Sequence, residues 1–418
     1  MIHKLIITIV LTVATVAAYA QISVAEYVAT VVDYSQSVDA AHARRDGADA
    51  DMRVAKKGYL PSLGVGADAS YPFRARSEVR ELDWAVRADI SQPIYSGGGV
   101  RAAVRRAEMN RSVAQYDEQS VTLGVVYDAE VAYWGLSEAE IYRKAIADYY
   151  NIVGSLREVV ARRYSEGYVA KSDLLQLESR LSDAEYQLSM AEQHWLHRLH
   201  QFNTLRGCAP ALEVLLTESI LDTIIMPARR QVDEVVRCHP DYIAKVAAME
   251  AAEWGVKVVN SGYMPRLGAN IYGAWQPNMP NVRGAGTRLD GGVMLSLSAP
   301  LFHFGKRREA LRSARSEFVR AELSVADVVD NITLNESDAW TNMVATRERV
   351  DAVRHNLDLA AENLEISTYS YNEGLATILD VLQAQISWLQ NYQNAIAALY
   401  DYALAVSAYR YVVAEVRW

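Results

Sequence analysis

Tyrosine and aspartate side chains recur at matched positions in this chain, and they are the residues best placed to do chemistry. Tyr371, Gly374 and Asp380 form a short motif, and the same spacing occurs 207 positions earlier at Tyr164, Gly167 and Asp173. A phenol hydroxyl donates hydrogen bonds, and a carboxylate accepts them or attracts cations. The same residues also suit a turn, because glycine ends helices and an aspartate side chain accepts free N–H groups at the next helix start. The residues leave both interpretations open, a turn alone or a functional site at a turn.

Three histidines are the other candidates for chemistry. His194, His197 and His200 are spaced three residues apart on one predicted helix. Imidazole binds metals, but two three-residue steps rotate the outer side chains by roughly 120°, and the sequence has no second His-rich segment to complete a site. It also lacks Walker A spacing and a Gly-x-Ser-x-Gly element. We therefore predict no metal site, no catalytic residue, no cofactor and no enzymatic activity.

The N-terminal residues, the net charge and the cysteines indicate the compartment and the partners of the protein. Lys4 precedes an apolar run, and Ala18-Tyr19-Ala20 has the small-x-small form of a cleavage site, so residues 1–20 are predicted to be a signal peptide. No later stretch approaches ~20 uninterrupted apolar residues, and transmembrane helices are not expected. The net charge of −9 argues against nucleic acid as a partner. Cys208 and Cys238 are the only cysteines, and in an oxidising compartment they either pair or stay as unpaired thiols.

The repeated motif indicates a tandem duplication. We expect a first structural repeat at residues 21–207, an inter-repeat linker at 208–230 and a second repeat at 231–418. Each repeat should contain a helix, then a β-hairpin (62–92 or 266–299), then a long helical hairpin with its tip near residue 167 or 374. The first helix is predicted over residues 24–57, and the linker is predicted to be irregular.

The strands are predicted from strict alternation of apolar with small or polar residues. Residues 63–71 alternate in this way, as do 82–90, with Pro93 closing the run. A strand of this pattern has one buried face. The second repeat shows the same pattern over 267–275 and 293–299, with extra residues in the loop from Gln276 to Arg288. Aromatic residues lie near the strand ends: Tyr59, Tyr71, Phe73, Trp84, Tyr95, Tyr263, Trp275 and Phe302.

The helical arms are predicted from their lack of helix-breaking proline and glycine and from the spacing of their apolar residues. All ten prolines lie at or between residues 61 and 300, and residues 306–373 contain no glycine. A continuous helix of that length would reach roughly 100 Å. Apolar residues at three- and four-residue spacing on both returning arms predict coiled-coil pairs. The fold class is therefore α+β, with long antiparallel coiled-coil helical hairpins and four β-strands per chain.

Four strands cannot close into a barrel, and an unpaired strand edge is prohibitive in lipid. Strands of about ten residues suffice to cross an outer membrane. The chain would then share its strands with copies of itself, eight from two copies or twelve from three, and only twelve leave a lumen. The aromatic residues at the strand ends would suit an interfacial girdle. The alternative is a soluble sandwich edge with ordinary aromatic residues.

The chain resembles the TolC-like outer membrane efflux proteins over nearly its whole mature length. The resemblance lies in the order of short motifs: Gly-Tyr-Leu-Pro-Ser-Leu (58–63), Pro93-Ile94-Tyr95 with Gly98, Leu205-Arg206-Gly207, His239-Pro240-Asp241-Tyr242, Pro300-Leu301-Phe302 with Gly305, and Asp-Val-Leu-x-Ala after Gly374. It implies a homotrimer in the outer membrane lipid, with a shared twelve-stranded transmembrane β-barrel and an α-barrel, a helical tunnel formed by the hairpins, that extends into the periplasm. It further implies an inner-membrane pump and a periplasmic adaptor that contacts the helical hairpin tips.

The resemblance also assigns roles at the tips. Tyr371 would bond Asp173 of a neighbouring hairpin, beside Ser172, and hold the periplasmic aperture shut. The family's best-known member has an arginine two residues after the glycine, where this chain has Ala376.

Carboxylate rings are a second feature that the resemblance implies. They would fall at Asp380 and at position 383, which is Gln383. One ring of three carboxylates is therefore expected, with a preference for cations.

Two function classes follow from these observations. The chain would be the passive exit duct of a tripartite efflux or type I secretion system, or a non-conducting structural coiled-coil protein of the envelope. The four strands favour the duct, because a spacer has no evident use for them. Drugs, metals and proteins are all compatible cargoes.

Overall fold

The structure, a computed structural model, describes residues 21–71, 83–277 and 286–415. The predicted signal peptide, Phe73, Leu82 and the centre of the loop from Gln276 to Arg288 lie outside the described residues. In chain order the elements are β1 (Gln21–Ile22), α1 (Val24–Tyr34), α2 (Gln36–Lys57), β2 (Ser62–Ser70), β3 (Asp83–Tyr95), α3 (Gly99–Ser165), α4 (Lys171–Leu205), β4 (Leu215–Leu216), α5 (Val232–Cys238), α6 (Pro240–Ser261), β5 (Arg266–Pro277), β6 (Thr287–Ser298), α7 (Lys306–Asn372) and α8 (Ile378–Val412).

The chain forms two compact units, and each draws on both repeats. The first unit comprises Met1–Val38, Thr122–Gln231 and Leu334–Trp418, and the second comprises Asp39–Val121 and Val232–Thr333.

The helical hairpins repeat with a constant offset. Helices α3 and α7 each have 67 residues, and α4 and α8 each have 35. Every bound of α7 and α8 lies 207 positions after its counterpart in α3 and α4. In the first unit, α3, α4 and α8 share a buried apolar cluster that includes Ile146, Tyr149, Ala184 and Leu389. The predicted long hairpins are confirmed, because glycine-free and proline-free stretches with apolar spacing leave no better option than continuous packed helices.

The N-terminal helix is not continuous, so the prediction of one helix over residues 24–57 is wrong at Ser35. Ser35 has extended backbone angles (φ −69°, ψ 113°) and ends α1. Its hydroxyl accepts the N–H of Val38 at 3.4 Å, near the start of α2. Serine competes for backbone N–H groups in this way, and it therefore favours helix boundaries over helix interiors.

The four long strands form one antiparallel sheet in the order β2-β3-β5-β6 in the second unit. The β2–β3 and β5–β6 pairs are the two predicted hairpins, and β3 pairs with β5 between the repeats. Pro93 does not close the second strand as predicted, because β3 continues to Tyr95. The pairing with β5 shifts register between Pro93 and Tyr95, as expected where proline offers no N–H to the ladder.

One face of this sheet is apolar and exposed. Leu63, Ile90, Ile271 and Val293 are paired partners that form a row across all four strands. Their exposed fractions are 73, 41, 52 and 77%, so the predicted half-buried strands are wrong for a single chain. The opposite face carries small and polar residues, such as the row of Gly64, Asp89, Tyr272 and Gly292.

The linker is irregular except for a short strand that the sequence did not predict. Strand β4 pairs in parallel with β1. The Glu218 N–H donates to the Tyr133 hydroxyl at 3.1 Å, and the Ile220 N–H donates to the Ser137 hydroxyl at 3.0 Å. Arg229 forms two hydrogen bonds, 3.1 and 3.0 Å, to the fully buried carboxylate of Glu336. These bonds fix the linker to α3 and α7 within the first unit. Cys208 in the linker and Cys238 at the end of α5 are both free thiols.

Candidate functional site at the hairpin tips

Each hairpin turns at a glycine with positive φ, 82° at Gly167 and 76° at Gly374. The Gly374 N–H bonds the Tyr371 carbonyl at 3.1 Å, and the Leu375 N–H bonds the Ser370 carbonyl at 2.8 Å. This pair of bonds is the Schellman pattern that ends a helix. An added Cβ would meet nothing within 4 Å at either glycine, so the requirement for glycine is conformational rather than steric.

The returning helices begin differently in the two repeats. Thr377 is the N-cap of α8 and forms a capping box with Asp380, whose Oδ2 accepts the Thr377 N–H at 2.8 Å. The N-cap of α4 is Ala170, which forms no side-chain cap bond. The prediction that the repeated aspartates are helix caps is therefore wrong for Asp173, because alanine stands where the second repeat has the threonine hydroxyl.

Tyr371 lies in a buried apolar cluster at the tips. Its side chain is 6% exposed and packs among residues of α3, α4 and α8: Leu156, Val160, Leu177, Ile378, Val381 and Leu382. The Tyr371 hydroxyl is buried and has no hydrogen-bond partner within the described residues. A tyrosine–aspartate bond therefore does not form inside one chain, and its formation between chains stays a prediction.

The other predicted site residues are more accessible. Asp173 is half-buried and accepts a hydrogen bond from the exposed Ser172 hydroxyl at 3.2 Å. Asp380 and Gln383 are exposed, one turn apart on α8. The hydrogen bonds from the side chain and backbone of Thr377 lower the pKa of Asp380 below its ordinary value. Asp380 is therefore ionised at neutral pH.

Arg163 is a tip residue that the sequence analysis missed. Its guanidinium carbon lies 4.9 Å from the centroid of the Tyr371 ring. Its two terminal nitrogens approach the carbonyls of Tyr371 and Asn372 at 3.5 and 3.4 Å. The last turn of α3 thus contacts the last turn of α7. Arg163 has no counterpart in the repeated motif, since the equivalent position is Ser370, so the duplication gave no signal for it.

A groove of about 770 Å³ lies beside this cluster, between α3, α7 and α8. Its lining includes Ile152, Ser155, Leu364, Tyr369 and Gln385. Gln385 is 2% exposed, and its Oε1 has no hydrogen-bond partner within the described residues. The groove therefore combines an apolar surface with an unpaired buried acceptor.

The histidines do not form a metal site. His194 Nε2 lies 3.2 Å from a Glu138 oxygen, and His197 lies 3.2 Å from the Gln201 amide. Across residues 21–71, 83–277 and 286–415, no group of three or more His, Cys, Asp or Glu side chains is arranged to hold a metal ion. None of the helices in these ranges is long and apolar enough to span a membrane.

Two duplicated helical hairpins and a four-stranded sheet with an exposed apolar face define a class: the subunit of an envelope channel built from strands and long helices. The chain belongs to the outer membrane efflux protein family, whose sequence profile it matches over residues 30–207 and 233–411.

Individual relatives agree with this assignment. The chain is 21% identical to the outer membrane protein TolC of Escherichia coli (strain K12) over 379 residues, which cover 87% of this chain and 76% of the relative. It is 26% identical to the pyoverdine export outer membrane protein OpmQ of Pseudomonas putida, covering 85% and 78%. The structure of VceC from Vibrio cholerae has the same fold, with a TM-score of 0.79, 20% identity and coverage of 93% and 95%. That of CusC gives a TM-score of 0.84, 13% identity and coverage of 94% and 92%.

This protein is therefore an outer-membrane efflux channel. Members of the family are channels rather than enzymes, and they generally form trimers and work with efflux pumps. The alternative of a non-conducting spacer does not fit this family.

Asp380 has two candidate roles, as a charge that favours cations and as a member of the capping box, and substitutions can distinguish them. We expect Asp380→Asn to weaken cation preference and block by multivalent cations in single-channel recordings, because the charge is lost while an acceptor remains. Thr377→Ala is the control, since it removes the cap hydroxyl and keeps the carboxylate. The lowered pKa predicts that cation preference stays constant from about pH 8 to about pH 5 and is lost only as the pH falls through that pKa. If only Thr377→Ala altered selectivity, Asp380 would be a helix cap alone.

Proposed function

We propose that three copies of this chain form a passive, non-catalytic exit duct with one shared twelve-stranded barrel. The observation that carries this proposal is the sheet: β2 and β6 each pair on one side only among the described residues, and the apolar face is exposed. Lipid satisfies the apolar face, and pairing between copies satisfies the edges. The structural repeats, 21–207 and 231–418, would each supply two strands and one helical hairpin, joined by the linker at 208–230.

We further propose that the duct serves a tripartite efflux or type I secretion system. An inner-membrane pump would deliver cargo, and a periplasmic adaptor would contact the hairpin tips. The groove of about 770 Å³ is the surface best suited to an adaptor helix. Its walls offer exposed apolar side chains, with Ile152 37% and Tyr369 65% exposed.

The tips would form the periplasmic aperture of this duct. The Tyr371 hydroxyl is buried and has no hydrogen-bond partner in the part of the chain that the structure describes, and an unsatisfied buried hydroxyl costs about 1–3 kcal/mol. Asp173 of a neighbouring chain would supply the missing acceptor when assembly turns the hydroxyl out of its cluster. Asp380 would place three carboxylates around the entrance, with the uncharged Gln383 one turn further along α8.

Assembly is the first test of the duct. The mature protein should be extracted from membranes as a trimer that resists mild detergent, and it should give discrete channels in planar bilayers, because its strand edges pair only between copies. A folded, detergent-soluble monomer with intact β-sheet signal, or a trimer without channel events, would contradict the proposal.

Tyr371→Phe tests the proposed bond to Asp173. Loss of one hydrogen bond of about 1 kcal/mol should raise the resting open fraction about fivefold in single-channel recordings, with assembly unchanged. Tyr164→Phe is the matched control, because Tyr164 occupies the equivalent position and is 39% exposed. Equal behaviour of the two variants would show that the Tyr371 hydroxyl has no partner in the trimer.

If the adaptor docks in this groove, a bulky substitution there should stop export while the channel itself still conducts. Ser155→Arg, in the groove lining, should abolish export from intact cells without changing single-channel conductance, since the arginine fills the groove and leaves the lumen alone. Glu158→Arg, on the same helix but outside the lining, is the control. Export that survives Ser155→Arg would exclude this groove as the adaptor surface.

A further inference from the structure

Arg163 joins the two hairpins of one chain at their tips. It lies in the last turn of α3, yet its nitrogens approach the final carbonyls of α7 at 3.5 and 3.4 Å. The last carbonyls of a helix carry the negative end of the helix dipole, and the Tyr371 carbonyl, which already accepts the Gly374 N–H, has a second lone pair for another donor. A guanidinium suits this position, because its planar fork can donate to two carbonyls at once.

The same side chain also covers the buried tyrosine. The guanidinium carbon lies 4.9 Å from the centroid of the Tyr371 ring, within the range of a cation–π contact. The three contacts involve adjacent residues of α7, so they form and break together. Separation of the two tips would uncover the Tyr371 ring and release both carbonyls.

Only the first repeat contributes an arginine to this contact, and only the second repeat contributes the buried tyrosine. The position equivalent to Arg163 in the second repeat is Ser370, and Tyr164, equivalent to Tyr371, is 39% exposed whereas Tyr371 is 6% exposed. Turn chemistry alone would treat the two repeats alike. The difference indicates that Arg163 has a task at the second tip rather than a general role at helix ends.

We propose that Arg163 is a positioning residue of the closed aperture, which ties the end of α3 to the end of α7 and must release Tyr371 before the tips can separate. The proposal rests on the proposed function of the tips as the entrance of the duct. The tie lies within one chain, in contrast to the bond expected between Tyr371 and Asp173 of a neighbour. It also supplies a guanidinium at the tips where position 376 is alanine.

Single-channel recordings of the reconstituted trimer test this role. Arg163→Ala should raise the resting open fraction about tenfold, because a hydrogen bond to a charged donor typically shifts an equilibrium by about that factor. Open-state conductance should not change. Arg163→Lys should rescue closure only in part, since an ammonium keeps the charge but lacks the planar fork. Arg162→Ala is the matched control, because it removes an exposed arginine from the same helical turn.

A double-mutant cycle distinguishes loss of the contact between Arg163 and Tyr371 from a general loss of trimer stability. In the Tyr371→Leu background, Arg163→Ala should raise the open fraction by a smaller factor than in the wild type, because Tyr371→Leu removes the ring contact of Arg163 and keeps the two carbonyls. Trimer content and helical circular dichroism are measured for every variant, and Arg163→Gln replaces Arg163→Ala if the alanine variant does not assemble. Effects that multiply in the cycle, full rescue by lysine, or equal behaviour of Arg162→Ala and Arg163→Ala would overturn the proposal. A wild-type trimer that never conducts would instead refute the duct itself.

Discussion

The fold depends on a requirement that one chain cannot meet: every backbone N–H and C=O in a membrane needs a partner. The sheet has four strands, and within the described residues β2 and β6 have a neighbour on one side only. Its apolar residues form rows across the full width of the sheet and stay exposed, with Val293 at 77% and Leu289 at 83%. A soluble chain with this surface would aggregate. Burial in lipid and pairing between copies remove both problems together, which is why the sheet belongs to an assembly.

The regular elements could be predicted from sequence because their signals are local and repeated. The alternation over residues 63–71 gave β2, and the glycine-free stretch from 306 gave α7, since periodicity and the absence of helix breakers act within a few turns. The break at Ser35, the extension of β3 past Pro93 and the pairing of β1 with β4 were missed. Each of these depends on one hydrogen bond or a few, which a pattern spread over many residues does not register.

The candidate site was predictable only where the two repeats agree. The shared motif located Gly167, Gly374 and both aspartates, but it could not show that Thr377 caps α8 while Ala170 leaves α4 without a side-chain cap. The Thr-x-x-Asp spacing from Thr377 to Asp380 is itself a capping-box signal, and it is absent at Ala170. Arg163 gave no such signal, because its contact joins residues about 208 positions apart. Long-range side-chain contacts of this kind require the packed structure.

The two hairpin tips differ because one supplies the hydrogen-bond donor, Arg163, and the other supplies the acceptors. A tandem duplication first produces two identical tips, each with the same side chains and the same helix carbonyls. A stable contact needs a donor on one tip and acceptors on the other. Arg163 on α3 and the carbonyls of Tyr371 and Asn372 on α7 satisfy this requirement. Because Ser370 stands at the position equivalent to Arg163, the arginine contact runs from the first hairpin to the second and has no counterpart in the other direction, while the unchanged 207-residue offset of the helices preserves the packing around it.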